Sequence, residues 1–324
     1  MSRGFANPLT ELAEFEELQQ GLRKKRGPVQ VSGCLDSQKV HLMQETMADC
    51  PWKLVVTYDD ARAREIYDDF GCFRDNVWLY PAKDLLFYSA DIHGNLITRE
   101  RLQVLRHLME DEGGVVVTTM DGLMDHLLPL SCMQEQVLHL ETGQELDLEA
   151  WKIRLAELGY ERMPQVDGMG QFSVRGGILD IYPLTEELPV RIELWDTEVD
   201  SIRTFDLESQ RSIEQLDEID IYPATEIVLT KKQAKEGVKR IRSEAKAFAE
   251  KLRSQQNTEE AYRITGIVKE LTEGIEEGWR QTGLDAWISY FNKETVSFLD
   301  YFDPEQSMIF LDEPLRLKEQ GEAV

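Results

Sequence analysis

The sequence predicts an α/β protein: a parallel sheet, discontinuous along the chain, with a smaller α+β domain inserted into it. Three observations carry this reading. Short apolar stretches, Leu54-Val-Val-Thr57, Val77-Trp-Leu-Tyr80 and Val115-Val-Val-Thr-Thr119, alternate with helical patterns, as strands covered on both faces do. From Gly170 a run of short strands with period-two patterning follows, the signature of an antiparallel meander. A further apolar strand, Met308-Ile-Phe-Leu311, comes late in the sequence and is expected to rejoin the first sheet. The expected division is residues 1–130 for the first part of the sheet domain, 131–223 for the insertion, and 224–324 for a helical segment and the return.

Taken in order, Pro28-Val-Gln-Val-Ser32 is expected as the opening strand, running into Gly33-Cys-Leu-Asp-Ser-Gln-Lys39-Val40 where a phosphate-binding loop would sit. Such a loop needs G-x-x-x-x-G-K-[ST], because backbone N–H groups around the second glycine cradle phosphate and the final hydroxyl ligates magnesium. Gln38 replaces that glycine, Val40 removes the hydroxyl, and Asp36 adds a carboxylate, so Gly33 and Lys39 are the only remnants. The sheet is therefore expected to be a degenerate P-loop NTPase-like one. Ala61 to Phe70 reads as a helix closed by Gly71, and Thr98 as the cap of a helix carrying Leu102, Leu105 and Leu108.

The insertion opens with the strand Gln136 to Leu140. Asp147 then caps a helix whose Leu148, Trp151, Leu155 and Leu158 form a core stripe. In the last segment Val238, Ile241, Ala245, Phe248 and Leu252 form a second stripe, and another helix follows Asn257-Thr258. Asp312 and Glu313, after an apolar strand, have the form of a Walker B motif that could hold magnesium; with no phosphate to act on, they read as a relic or a strand-end turn.

Composition narrows the function. No apolar run reaches 18 residues and the first residues lack a signal-peptide core, so a cytoplasmic chain without membrane contact is expected. Cys34, Cys50, Cys72 and Cys132 show neither C-x-x-C spacing nor histidine pairs, which leaves no disulfide frame or metal site and casts them as small core residues. The five histidines, His41, His93 and His126 among them, fall in no triad, so no catalytic residue and no cofactor are expected. A net charge of −25 argues against broad nucleic-acid binding. The local basic stretches, Arg23-Lys24-Lys25-Arg26 and Lys231 to Arg253, read as solvated faces.

The meander holds the candidate site. Gly176-Gly177 permits a bulge or a close backbone approach between Phe172-Ser-Val-Arg175 and Ile178-Leu-Asp-Ile-Tyr182. In Val190-Arg-Ile-Glu-Leu-Trp195, Val190, Ile192 and Leu194 share one face, so Arg191, Glu193 and Trp195 share the other, expected to face solvent. An exposed Trp beside Arg and Glu has the composition of a protein-binding hot spot. It also fits an ordinary solvated strand with Trp195 folded over a sheet edge, and alternation alone favours that plainer account.

The run G-Q-F-S-V-R-G-G-I-L-D-I-Y-P, then R-I-E-L-W-D-T-E-V-D-S-I-R-x-F-D and S-Q-R-S, resembles the second domain of bacterial transcription-repair coupling factors and is close to that of their excision-repair relative UvrB. In that family the domain binds the damage-recognition protein UvrA. The family's contact positions fall here on Arg175, Arg191 and Trp195, while Glu193 matches a contact position of UvrB alone. Trp195 stands where the family more often has Phe, and Ser173 where UvrB carries another Arg. UvrB relatives insert a long aromatic β-hairpin that clamps DNA; between Tyr80 and Thr98 this sequence has no room for one.

The resemblance thus implies a non-enzymatic module that recruits UvrA, with its own nucleotide site lost, and with RNA polymerase and DNA engaged only through later domains. The alternatives are a UvrB-like or helicase-type ATP-dependent repair domain, which Gln38 and Val40 oppose, and an interdomain scaffold that covers the same face.

Overall fold

The computed structural model describes residues 8–24, 27–83, 91–276, 284–292 and 294–323. Lys25 and Arg26, residues 84–90 of the segment expected to lack a hairpin, and the side chain of His93 lie outside the described residues.

In chain order, helices α1 (Ala13–Arg23) and α2 (Asp36–Glu45) precede strand β1 (Trp52–Thr57), α3 (Asp60–Gly71) and β2 (Val77–Tyr80). Helix α4 (Asp91–Met109) leads to β3 (Gly114–Thr119) and the short helices α5 (Met120–Leu123) and α6 (Leu130–Gln134). Next come β4 (Leu138–Glu141), α7 (Leu148–Glu157), β5 (Glu161–Arg162), β6 (Gln171–Arg175) and β7 (Ile178–Tyr182). Strands β8 (Val190–Trp195), β9 (Glu198–Phe205) and β10 (Ser212–Leu216) complete the meander, and β11 (Glu218–Ile221) follows. The chain ends with α8 (Lys231–Ser254), α9 (Thr258–Glu276), α10 (Ile288–Phe291), β12 (Ser307–Leu311) and α11 (Pro314–Ala323).

The chain forms two compact units. The first, residues 1–82, 110–125 and 298–324, holds a four-stranded sheet in the order β12-β1-β3-β2. Every neighbouring pair in it is parallel, and the late strand does rejoin the sheet, with Trp52 opposite Ser307 and Val56 opposite Leu311. On one face Val40, Met43, Ala63, Ile66 and Phe70 of α2 and α3 bury against Val55, Val115 and Val117. Such two-sided burial is why these strands read as unbroken apolar runs. On the other face Tyr80 stacks on Phe298 at 3.8 Å, and Trp52 meets Trp78 and Phe302. Gly114 is required there, since a Cβ on it would lie 2.2 Å from the Trp78 ring.

The expected opening strand over 28–32 does not form: these residues lie in no strand, and Val29 and Val31 are exposed. Its alternation is only a local signal, and a strand persists only where a neighbouring strand completes its ladder. Inside β1 sits an unexpected cation. Lys53, 1% exposed, donates to the carbonyls of Met43 at 3.0 Å and of Gln44, closing the last turn of α2.

The second unit, residues 83–109 and 126–297, holds a six-stranded sheet in the order β10-β9-β8-β7-β6-β5 and the antiparallel pair β11-β4. Helix α4 starts at Asp91, so Thr98 lies inside it and not at its cap: the helical register extends two turns upstream of the residue with the best cap chemistry. Arg101 of α4, fully buried, holds the Glu226 carboxylate by two bonds of 2.8 and 3.0 Å, and Lys83 adds a third contact at 3.0 Å.

Asp147 caps α7, accepting from the N–H groups of Glu149 and Ala150. The α7 core is carried by Leu155 with Leu158 just beyond it, while Trp151 is only half-buried, as suits a ring too large to be enclosed by one short helix. In α8 the buried stripe continues through Ala249, and Phe248, one step round the helix, is 47% exposed. None of the four cysteines is buried, and all are free thiols, so the small-core expectation for them fails: Cys34, Cys50 and Cys72 lie outside or at the ends of helices and strands, and Cys132 sits on the short helix α6, where its side chain is only half-buried. Among the described residues, no helix is long and apolar enough to cross a membrane.

Candidate functional site

The face that Arg191 shares with Glu193 is built by strand register. Arg175 lies opposite Ile178, which lies opposite Glu193; one row on, Ser173, Asp180, Arg191 and Arg203 follow across β6 to β9. Because side chains alternate, all of these project to one side. The structure therefore brings Arg175, Arg191 and Glu193 onto a single face.

Gly176, with φ +62°, makes the tight turn between β6 and β7, and the Gly177 carbonyl accepts from the Leu194 N–H at 2.8 Å. That bond places Trp195 at the same end of the sheet as Arg175. Trp195 is the last residue of β8, ahead of a reversal in which Asp196 takes φ +59°, and its side chain is 80% exposed. A ring so uncovered is the least expected feature of the face, since indole normally finds cover.

The centre of the face is less open than the alternation suggests. Asp180, 1% exposed, accepts from Arg191 Nε at 2.7 Å and Nη2 at 2.9 Å, and from Arg175 Nη2 at 2.7 Å. Arg191 also donates to Gln210 Oε1 at 2.9 Å and stacks 4.4 Å from the Phe205 ring centre. The hydrogen bonds to Asp180 push its guanidinium further above the ordinary arginine value, against the opposing effect of burial.

Arg191 is thus a half-buried structural ion pair and not a free solvent-face side chain, which corrects the expectation from spacing. Glu193 is likewise engaged, by Arg203. Arg175, 44% exposed, keeps donors available for an external acceptor. Leu194 is only half-buried, where the pairing of β8 with β9 shifts register. Ser173 is buried and donates to the Pro164 carbonyl at 2.9 Å, so it adds nothing to the exposed face.

Sequence reasoning missed Asp180. It sits between Leu179 and Ile181 in an apolar strand, and the usable signal was a lone acid at the polar position of a strand flanked by two arginine-bearing strands.

At the other candidate position, Gly33 takes φ +86° and α2 begins at Asp36, with the Gln38 side chain accepting from the Leu35 N–H at 3.1 Å. Lys39 Nζ lies 2.9 Å from Asp312 and 2.7 Å from Glu313, so the lysine left in the loop and the Walker B-like pair meet in ion pairs.

Comparison with known proteins gives the family of the segment that holds this face. Residues 138–227, which contain the whole face, match the UvrB interaction domain family. A transcription-repair-coupling factor of Bacillus subtilis (strain 168) is 34% identical over 270 residues, covering 83% of this chain and 23% of that protein. Those of Staphylococcus epidermidis (strain ATCC 12228 / FDA PCI 1200) and Staphylococcus aureus (strain MRSA252) are each 30% identical, covering 100% and 91% of this chain and 27% and 25% of the respective proteins. The chain thus spans about a quarter of the length of these relatives. It is homologous to the N-terminal region of transcription-repair coupling factors and carries a UvrB interaction domain at residues 138–227.

Proposed function

We propose that this chain is a protein-recruiting module of transcription-coupled nucleotide excision repair, and that the β6–β8 face binds UvrA. The observation that carries the reading is Trp195, 80% exposed beside an arginine-rich face inside the matched domain. Trp195 supplies apolar area to be buried, Arg175 meets a partner carboxylate, and Arg191, fixed by Asp180 and Phe205, provides a rigid base beneath them. Residues 131–223, which lie within the second compact unit, are the segment that presents this face. The first unit is a degenerate P-loop NTPase-like sheet whose loop has lost nucleotide, since Lys39 is already engaged by Asp312 and Glu313. Contacts with RNA polymerase and DNA belong to the remainder of a full-length coupling factor, and the setting is the cytoplasm.

Surface plasmon resonance against purified UvrA tests the reading. Trp195→Ala should weaken binding about 30-fold, the loss expected for an anchor contributing about 2 kcal/mol, and Arg175→Ala should weaken it less. Trp195→Ala should not move the melting temperature appreciably, because its ring is 80% exposed, whereas Arg175→Ala should lower it modestly, because it takes one of two arginines from the buried Asp180 carboxylate. Wild-type affinity in both variants would refute the face.

A further inference from the structure

An ionic cluster at the end of β12 plays no part in the partner-binding face. Asp312, 3% exposed, accepts on Oδ1 from Lys39 Nζ at 2.9 Å and on Oδ2 from Thr57 Oγ1 at 3.1 Å and Arg62 Nε at 3.3 Å. Lys39 also reaches Glu313 Oε1 at 2.7 Å. Arg62, 7% exposed, pairs in turn with Asp36 at 3.3 Å and Glu65 at 2.9 Å. One carboxylate thus gathers donors from α2, β1 and α3, three stretches that have no other common partner in this cluster.

The backbone is shaped to this arrangement. Glu313 takes φ +55°, a left-handed conformation that costs a non-glycine residue of order 1 kcal/mol or more. That turn sets its carboxylate against Lys39, while its carbonyl accepts from the Arg316 and Leu317 N–H groups to start α11. Burial alone would raise the Asp312 carboxyl, yet Lys39 and Arg62 hold it below the ordinary aspartate value, so the cluster is ionised. Two cations face four carboxylates, Asp36, Glu65, Asp312 and Glu313. A polyphosphate entering here would meet net repulsion and would have to take Lys39 from two existing partners.

We propose that the Asp312 carboxylate is a built-in replacement for a bound phosphate, clamping α2 and α3 to the end of β12 so that this part of the sheet closes without a ligand. The clamp explains why the lysine is retained in a loop that has lost its second glycine and its hydroxyl: its partner is internal. The proposal rests on the reading that the loop holds no nucleotide, and the two can fail separately.

The test uses the chain as it stands, with Lys39→Met, Asp312→Asn and the double variant compared by thermal melting and by hydrogen–deuterium exchange. Asp312→Asn should lower the melting temperature by about 5 °C or more, because it leaves the buried Arg62 and the half-buried Lys39 short of a partner. Lys39→Met should lower it less, and the double variant should melt close to Asp312→Asn alone. Exchange in residues 36–45 should quicken at least about tenfold in each single variant while β6–β8 are unchanged. Should Asp312→Asn not fold, the exchange of Lys39→Met decides the matter by itself. Strictly additive melting shifts, or unchanged exchange in α2, would overturn the clamp. A rise in the wild-type melting temperature with millimolar magnesium pyrophosphate would instead overturn the empty-loop reading beneath it.

Discussion

Replacing Arg191 with alanine separates architecture from recognition on the candidate face. The substitution removes a two-point hydrogen-bonded ion pair with Asp180, whose carboxylate is 1% exposed, and a ring contact with Phe205, which is fully buried. Breaking one side of a buried pair costs about 3–5 kcal/mol. Arg175 still donates to Asp180 at 2.7 Å, so the lower end, about 3 kcal/mol, applies. For a unit of this size that corresponds to a fall of about 6–12 °C in melting temperature. The assay is a circular-dichroism melt of Arg191→Ala beside Trp195→Ala, whose exposed ring should leave the melt within about 2 °C of wild type. A second comparison, Arg191→Leu with Asp180→Leu in one chain, should recover part of the loss because no buried charge is left alone. If Arg191→Ala melts like wild type, the ion pair is not structural, and Arg191 is as free as strand alternation alone would make it.

Two further outcomes concern buried charges. Burial, with Arg74 nearby, lowers Lys53 to about 8, while the unfolded chain keeps the ordinary lysine value of 10.5. The unfolded state therefore binds more protons between those values, and stability should rise with pH across the window by about 3 kcal/mol. Urea melts from pH 7 to 10 should show this rise in wild type and not in Lys53→Met; parallel curves would count against it. Burial would raise Glu226, but Arg101 and Lys83 outweigh it and hold the carboxyl at about 2. Its stabilisation is complete above pH 4.5 and is lost as pH falls toward 2, so Glu226→Gln should flatten the acid limb of the melting profile of the second unit, and an unchanged limb would refute the assignment.

What the sequence disclosed was whatever a local pattern encodes. Val115 to Thr119 and Leu54 to Thr57 read correctly because a strand buried on both faces needs apolar residues throughout. Asp147 read correctly because a cap is decided within three residues. Val29 and Val31 misled because alternation states what a strand could do and not whether a neighbour exists to pair with it. Thr98 misled in the opposite way: good cap chemistry is overridden when the residues before it also sustain a helix. The face of β8 was legible in its parity, but the grip of Asp180 on both arginines was not, since it depends on which strands become neighbours. Lys39 and Asp312 stand 273 residues apart, so the first could be recognised as a remnant but not its partner as the reason for it.

The order of strands in the first unit bears on how the chain comes into being. Strand β12 pairs with β1 across a span typified by Thr57 and Asp312, 255 residues apart. As a free loop, a span of that length costs about 5 kcal/mol of closure entropy. During synthesis β1, β2 and β3 emerge first and must wait, one edge unpaired, while the intervening residues 126–297 are made. Those residues fold into their own unit meanwhile, which shortens the effective tether and removes much of that entropy before Ser307 appears. The first unit is therefore begun early and finished last, and a substitution that delays the second unit should lengthen the lifetime of an exposed parallel edge and show itself as aggregation during expression before it shows itself in the melting temperature of the folded protein.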